Sequence, residues 1–175
     1  IKLNIPRMTI ELELFTYSTF GNDSQSFVPS YKNEYTYDVN GNRTLSIVYN
    51  WDTDSQSFVP SYKYESTFDE NGNRTLSIVY NWNTNSQSFV PSSKEEYTYD
   101  ANGIGTLYIY YYWYTDSQSF VPSYKNEYTY DANGYQTLDI TYLWHTNSQS
   151  FDPSHKHEYT YDVLVNRTLY IHDNV

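Results

Sequence analysis

Residues 24–54 read SQSFVPSYKNEYTYDVNGNRTLSIVYNWDTD, and close copies of this segment follow it without a gap. The tetrapeptide Ser-Gln-Ser-Phe begins at Ser24, Ser55, Ser86, Ser117 and Ser148, always 31 residues apart. A strict period without insertions indicates that each copy occupies an equivalent position in one continuous array. We therefore predict a single repeat domain over residues 1–175. Its repeats are 24–54, 55–85, 86–116 and 117–147, followed by a shortened final repeat at 148–175.

The residues before the first repeat are less regular. Residues 9–20 align with the second half of a repeat, so residues 9–23 are interpreted as a partial repeat. Residues 1–8 depart from the consensus, although Ile1, Leu3 and Ile5 alternate with polar residues as in a short strand. We expect this segment to be a cap or an inserting strand, and the chain to be a processed product rather than an excerpt.

Each repeat alternates with a period of two, which predicts two strands. In the first strand Tyr31, Tyr35 and Tyr37 share one parity, whereas Lys32 and Glu34 share the other. The second strand carries Leu45, Ile47, Tyr49 and Trp51 on one face. Because successive side chains point to opposite sides of a sheet, this pattern predicts one aromatic face and one polar face.

The connections have the composition of tight turns. Asn40-Gly41 joins the two strands of the first repeat, and Asn-Gly recurs in the next three repeats, but Leu164-Val165 replaces it in the last. Asn and Gly tolerate the positive φ that a tight antiparallel reversal requires. No segment has a helical apolar stripe. The predicted fold is therefore all-β, an antiparallel up-and-down meander of five β-hairpin repeats. It would coil into a barrel, a spiral or a superhelical β-array.

Composition narrows the classes of function. The net charge is -11 with only 10 Lys and Arg, which argues against nucleic acid and anionic membranes as partners. No apolar run is long enough for a membrane span. Cysteine is absent and tyrosine is abundant, at 23 residues. These features are typical of an extracellular or cell-surface protein, and we expect a bacterial one.

Residues 35–43, YTYDVNGNR, resemble the YD-repeat family of bacterial surface and toxin-shell proteins. The match recurs at residues 97–105 and 128–136, and in a weaker form at 66–74. The resemblance covers about a third of each repeat and implies hairpins that coil into a spiral sheet forming a shell. The whole repeat is also similar to the tyrosine-rich and asparagine-rich tandem repeats of secreted Bacteroidetes proteins.

No residue set predicts catalysis, a cofactor or a metal site, so we do not expect an enzyme. Asp52 and Asp54 resemble a calcium turn, but the equivalent positions in the other repeats do not keep the carboxylates. His145, His155, His157 and His172 all lie in the last part of the chain, where zinc is conceivable and surface variation is favoured. The recurring Lys and Glu columns are interpreted as a solvated charge ladder.

Four asparagines begin an N-x-Ser/Thr sequence, the acceptor pattern for N-linked sugar. They are Asn22, Asn42, Asn73 and Asn166. The last three share one turn position, so sugar there would decorate one rim. The competing interpretation is that Asn-Arg-Thr is simply a way to leave a turn.

A one-sided sheet with so many exposed rings needs a partner surface or closure. Its edge strands also lack the Pro or charge runs that block pairing. We therefore expect a structural fibre subunit that assembles head to tail with copies of itself, in which Ile1, Leu3 and Ile5 form the assembly strand. The alternative is an adhesive module that binds glycans. In that case, sugar rings would stack on Trp51, Trp82, Trp113 and Trp144. An ice-binding surface is weaker, and a hydrolase is disfavoured.

Overall fold

The computed structural model describes residues 13–20 and 27–174, with side chains described over residues 29–173. Eleven β-strands and their turns account for these residues, among which there is no helix. The strands are β1 (Glu13–Phe20), β2 (Phe27–Tyr37), β3 (Arg43–Asp52), β4 (Ser57–Phe68), β5 (Arg74–Asn83), β6 (Ser88–Tyr99), β7 (Gly105–Tyr114), β8 (Ser119–Tyr130), β9 (Gln136–His145), β10 (Ser150–Tyr161) and β11 (Arg167–Asn174). Ile1, Leu3 and Ile5, the predicted assembly strand, lie outside the described residues.

The strands follow one another in a single sheet in the order β1 to β11, so every strand neighbours the next one along the chain. The pairs within each unit are antiparallel; in β2 and β3, for example, Glu34 lies opposite Ile47. The all-β meander of hairpin repeats is thereby confirmed. The choice among a barrel, a spiral and a superhelical array stays a prediction.

Two compact units divide the chain. The first comprises Ile1–Gly72 and Ser77–Ser92, and the second comprises Asn73–Leu76 and Ser93–Val175. Strands β1 to β4 belong to the first unit and β7 to β11 to the second, while β5 and β6 contribute residues to both. Each unit is built from the same hairpin, so the repeat is the basic element of structure in both.

A β-bulge interrupts β2, β4, β8 and β10 near the Pro-Ser dipeptide of each strand. Along β3 and β4, Tyr49 lies opposite Pro60 and Val48 lies opposite Tyr62, which leaves Ser61 as an extra residue. The same shift occurs between β7 and β8 and between β9 and β10. One extra residue moves all later side chains to the other face. Phe58 therefore shares a face with Lys63 and not with Tyr62.

The prediction of one aromatic and one polar face is consequently wrong. Ile47 lies between Glu34 and Lys63, so the apolar side of β3 faces the charged columns of its neighbours. On the opposite face Ser46 lies between Tyr35 and Tyr64. The alternation was interpreted correctly on either side of the bulge, but the bulge inverts it within the first strand, and the hairpin register decides which side chains of neighbouring strands meet. Both faces therefore carry aromatic and polar side chains.

Burial is shallow on both faces. Within the described residues no apolar side chain is buried, and the buried residues are two serines, Ser46 at 8% exposure and Ser77 at 5%. Most strand residues are half-buried instead. The sheet is thus stabilised by contacts between neighbouring strands rather than by a hydrophobic core.

The two kinds of turn are fixed by an acidic or amide side chain and a residue at positive φ. In the first hairpin the Asp38 carboxylate accepts hydrogen bonds from the backbone N–H groups of Asn40 and Asn42, both at 2.9 Å. Gly41 has φ of 84°, a conformation that glycine adopts without strain. Val165 occupies this position in the last hairpin with φ of 66°. In the second kind of turn Gln56 has φ of 48°.

Candidate functional site

The best-defined side-chain arrangement is a three-residue group that we call the Lys–Glu–Tyr cluster. In the first repeat Lys32 Nζ donates to Glu34 Oε1 at 2.8 Å, and Tyr49 Oη donates to Glu34 Oε2 at 2.8 Å. Lys32 Nζ also lies 4.0 Å from the centre of the Tyr49 ring. The register produces this geometry, because Lys32 lies directly opposite Tyr49. The ammonium is thus placed between a carboxylate and an aromatic face.

The cluster recurs once in each of the next three repeats. The equivalent residues are Lys63, Glu65 and Tyr80; Lys94, Glu96 and Tyr111; and Lys125, Glu127 and Tyr142. The lysine side chains are only about a fifth exposed, for example 20% for Lys63. The expectation of a solvated charge ladder is therefore wrong in one respect. The Lys and Glu columns do pair, but they do so half-buried against tyrosine and phenylalanine rings.

In each cluster the carboxyl is ionised and the phenol is protonated at neutral pH. Burial raises the pKa of Glu34, but hydrogen bonds from Lys32 and Tyr49 outweigh it and hold that pKa below its usual value. Burial and the bond to Glu34 raise the pKa of Tyr49 to about 12, and Tyr80 behaves in the same way. Each cluster is therefore a neutralised ammonium–carboxylate pair with a protonated phenol. Such a group stabilises the sheet and has no free acid or base to offer a substrate.

The four tryptophans proposed for sugar stacking occupy the ends of the second strands. Trp51 packs edge-on against Phe58 with ring centres 5.0 Å apart, and Phe58 also lies 5.6 Å from Lys32 Nζ. Trp82, Trp113 and Trp144 make the same contact with Phe89, Phe120 and Phe151. All four indoles are half-buried. Each is therefore fixed in orientation by its phenylalanine while part of its surface stays accessible.

The asparagines proposed as sugar acceptors lie in or beside the hairpin turns. Asn42 Nδ2 donates to Asp38 Oδ2 at 3.0 Å, and Asn166 Nδ2 donates to Asp162 Oδ2 at 3.0 Å. Asn73 lies close to Gly103 in the neighbouring turn. Asn22 lies outside the described residues. For Asn42 and Asn166, the nitrogen that would carry sugar already serves to close the turn.

Asp52, the first carboxylate of the calcium-like turn, also closes a turn. Its Oδ1 accepts the backbone N–H of Asp54 at 3.0 Å and that of Ser55 at 2.7 Å. In the next repeat Asn83 makes the equivalent bonds with an amide oxygen. Because an amide replaces the carboxylate without loss of these bonds, turn closure explains this position.

Three of the four histidines meet on one face of the last hairpins. The rings of His157 and His172 are stacked 4.7 Å apart, and those of His155 and His172 lie 5.9 Å apart. Asp139 Oδ2 lies 3.8 Å from His157 Nδ1, while its other oxygen is buried without a hydrogen bond. Within the described residues no three such side chains are arranged to hold a metal ion. His145 lies apart from this group, 3.6 Å from Asp152.

A second irregular group of side chains lies on β6 and β7 and was not predicted from the sequence. Glu95 accepts hydrogen bonds from Tyr97 Oη at 2.6 Å and from Tyr108 Oη at 3.3 Å. Arg74 donates to Tyr97 Oη at 2.9 Å. The available signal was a break in a column, because Glu95 stands where the other repeats have Asn33, Tyr64, Asn126 and His157.

The last strand differs from the inner strands in exposure. Leu169 is 46% exposed, Tyr170 49% and Ile171 37%. The equivalent residues of β3 are half-buried at Leu45 and Ile47 and buried at Ser46. Within the described residues β11 pairs with β10 alone, so its other backbone edge is unpaired.

No helix in the described part of the chain is long and apolar enough to cross a membrane.

Comparisons with known proteins show the fold. A protein of unknown function from Bacteroides fragilis is similar in structure, with a TM-score of 0.56 and 16% identity over 84% of this chain and 92% of that one. A DUF3836 family protein from Bacteroides vulgatus has a TM-score of 0.45 and 14% identity, over 65% and 99% of the two chains. A segment making up 9% of a chain in the TcdB2-TccC3-TEV structure covers 91% of this chain, with a TM-score of 0.41 and 17% identity.

No protein-family model matches this chain, and no curated protein matches it. The Bacteroides fragilis structure shares its fold with this chain. The relation of the tyrosine-rich motif to YD-repeat proteins stays a prediction.

Proposed function

We propose that this protein is a structural repeat protein that assembles end to end into a fibre by β-strand addition. The observation that carries the proposal is the exposed edge at β11. Leu169 and Ile171 are 46% and 37% exposed there, whereas Leu45 and Ile47 are half-buried between two neighbours. A strand from a second copy would supply the missing neighbour and satisfy the unpaired backbone edge. Repetition of that single contact produces a filament.

Three further features support assembly over catalysis. The repeats provide no hydrophobic core within the described residues, so each hairpin depends on the one beside it. Their recurring titratable residues are used in neutralised Lys–Glu–Tyr clusters. The residues Ile1, Leu3 and Ile5 remain the proposed donor strand, because they alternate like a strand and differ from the repeat consensus. The proposed location is extracellular or at a bacterial cell surface.

Electron microscopy and light scattering on the purified chain test the fibre. The variant Leu169→Lys/Ile171→Lys places two charges on the edge strand and should abolish filaments. The matched control is Val163→Lys/Leu164→Lys, which adds the same charge at turn residues that are 99% and 77% exposed. Deletion of residues 1–8 should act like the edge variant. Filaments that survive the edge variant would remove β11 as the junction, and isolated particles from the unmodified chain would overturn the proposal.

The second candidate is glycan binding through the four tryptophans, favoured by the constant 4.9 to 5.0 Å contact that fixes each indole against a phenylalanine. An aromatic ring that is fixed in orientation and partly accessible can stack against a sugar ring. Titration of the monomer with soluble polysaccharides should then change tryptophan fluorescence, and Trp82→Phe should reduce the change. The control is Tyr112→Phe, at an exposed ring on the opposite face of β7 from the Trp113–Phe120 pair.

A further inference from the structure

The irregular face of the third repeat combines a carboxylate with two phenols. Tyr97 on β6 lies directly opposite Tyr108 on β7, and their ring centres are 5.3 Å apart. Both hydroxyls donate to the same side chain, Glu95, at 2.6 and 3.3 Å. At the position of Tyr108 the other complete repeats have Ser46, Ser77 and Asp139, so the pair occurs in this repeat alone among them. Two phenols sharing one proton acceptor define a specific chemical arrangement.

We propose that Tyr97 and Tyr108 form an oxidative cross-linking site, which a peroxidase-type oxidant using hydrogen peroxide converts into an intramolecular dityrosine between β6 and β7. Glu95 is the positioning residue that accepts the phenolic protons. The chain has 23 tyrosines and no cysteine, so tyrosine coupling is a covalent strand-to-strand link open to it where a disulfide is not.

The reaction balances in electrons and protons. Each phenol loses one electron to the oxidant and one proton to Glu95, which passes the protons to water. The two phenoxyl radicals join through ring carbons ortho to their oxygens. The hydrogens on those carbons then move to the oxygens and restore both phenols. The two electrons and two protons released reduce one hydrogen peroxide to two waters. The net loss from the protein is two hydrogen atoms, and one carbon–carbon bond forms.

The acceptor matters because the phenols do not ionise by themselves at neutral pH. Burial and the hydrogen bond to Glu95 raise the pKa of Tyr97 to about 12, and burial also raises the pKa of Tyr108. Formation of a neutral phenoxyl radical therefore requires release of the phenolic proton, and the Glu95 carboxylate oxygen, 2.6 Å from Tyr97 Oη, is within transfer distance. Arg74 donates to Tyr97 Oη and lies 3.9 Å from Glu95 Oε2, which holds both partners in place.

A second cross-strand pair in the same chain provides an internal control. Tyr159 and Tyr170 lie directly opposite each other on β10 and β11, with ring centres 5.6 Å apart. Among the residues that the structure describes, neither hydroxyl donates to a carboxylate. Arg167 lies over both rings, 5.9 and 5.0 Å from their centres. A similar ring separation without the acceptor separates the contribution of Glu95 from that of simple proximity.

The experiment treats dilute full-length protein with a haem peroxidase and limiting hydrogen peroxide. The monomer fraction is then analysed by dityrosine fluorescence and mass spectrometry after cleavage at Asp100, which lies between Tyr97 and Tyr108. We expect the first cross-linked product to join Tyr97 to Tyr108, with the loss of two hydrogens. Glu95→Gln should slow its formation by about a hundredfold or more, the lower end of the contribution of a positioned base. Tyr108→Phe should abolish it.

Two controls keep the result interpretable. Tyr110→Phe removes a neighbouring ring, stacked on Tyr124 at 5.5 Å, and should leave the Tyr97–Tyr108 link unchanged. Circular dichroism of each variant verifies that the sheet is intact. Several outcomes would overturn the proposal. They are equal rates at the Tyr159–Tyr170 pair, no effect of Glu95→Gln in a folded variant, or no dityrosine in the monomer. Coupling of Tyr124 to Tyr108, whose ring centres are 5.8 Å apart, or to Tyr110 in place of the Tyr97–Tyr108 link would also overturn it.

Discussion

Strands β3 and β11 begin with almost the same residues, RTLSI at 43–47 and RTLYI at 167–171, yet they differ in exposure. Ile47 is half-buried between Glu34 and Lys63, whereas Ile171 is 37% exposed and contacts the sheet on one side. The sequence of a strand therefore determines that it is a strand, and its neighbours determine how well it is stabilised. In a sheet with such shallow burial, the second contribution decides where the chain is weakest.

The turn before β11 is also less favourable than the turn before β3. Gly41 has φ of 84° before β3, and Val165 has φ of 66° before β11. A β-branched residue in the left-handed region is strained by a clash between its Cβ and the backbone. The last hairpin thus combines an exposed strand with a strained turn. Both features predict that it opens first when the chain unfolds.

The largest expected effect comes from removing the matched isoleucines. Ile47→Ala should lower the free energy of unfolding by about 2 kcal/mol, because contacts to strands on both sides are lost. Ile171→Ala should lower it by about 0.5 kcal/mol, because that side chain contacts one neighbour. Urea unfolding of both variants under conditions where the chain is monomeric measures the difference. Equal losses would show that burial between two strands contributes nothing extra.

The strained turn gives the next effect. Val165→Gly should raise the free energy of unfolding of the last hairpin by about 1 kcal/mol through relief of strain at positive φ. The reciprocal change Gly134→Val, in the preceding repeat where φ is 85°, should lower stability by at least as much. Hydrogen exchange of β11 amides reports the first variant. A destabilised Val165→Gly would mean that the valine side chain makes a contact worth more than the strain.

The smallest effect concerns the Lys–Glu–Tyr clusters and pH. The pKa of Glu65 is lowered in the folded chain, because the bonds from Lys63 and Tyr80 outweigh the upward effect of burial. A carboxyl with a lowered folded pKa stabilises above its unfolded value of 4.5, and this contribution is lost as pH falls through the folded pKa. The free energy of unfolding, measured from pH 7 to pH 3, should therefore fall more steeply below pH 4.5. Each cluster should contribute less than about 1 kcal/mol to this fall.

Glu65→Gln should remove one cluster's part of this acid-induced loss. Its comparison is Glu158→Gln in the last repeat, where Lys156 lies opposite Asp173 instead of a tyrosine. We expect Glu158→Gln to reduce stability at pH 7 by less, since no phenol hydrogen bond is lost there. On the alkaline side, the raised pKa of Tyr80 means that its contribution is present below pH 10 and is lost as pH rises towards about 12. If the free energy of unfolding falls in acid by the same amount in Glu65→Gln as in the unmodified chain, the proposed role of the cluster is contradicted.

Strands and turns could be predicted from the sequence because their signals are local. Alternation in residues 44–51 and the Asn40-Gly41 dipeptide are sufficient for a hairpin. The face assignment could not be predicted in the same way, because Ser61 looks like any other strand residue. Only the pairing of Tyr49 with Pro60 and of Val48 with Tyr62 reveals the bulge.

Only part of each side-chain cluster could be predicted from the sequence. Lys32 and Glu34 were recognised as a recurring pair, but their contact with Tyr49 depends on a register that spans 15 residues. Glu95 was overlooked because its column varies, and its significance arises from Tyr108 on the next strand. Contacts between side chains on neighbouring strands therefore could not be predicted from composition and periodicity.

The recurring bulge also bears on how the gene can change length. Loss or gain of a single residue within a strand would reverse the faces of everything beyond it up to the next turn, and would separate lysine from tyrosine. Exchange between two copies in steps of 31 residues keeps every bulge, pair and turn in phase. Unequal recombination between repeats would therefore lengthen or shorten the array and keep these contacts, whereas a small insertion within a strand would break them.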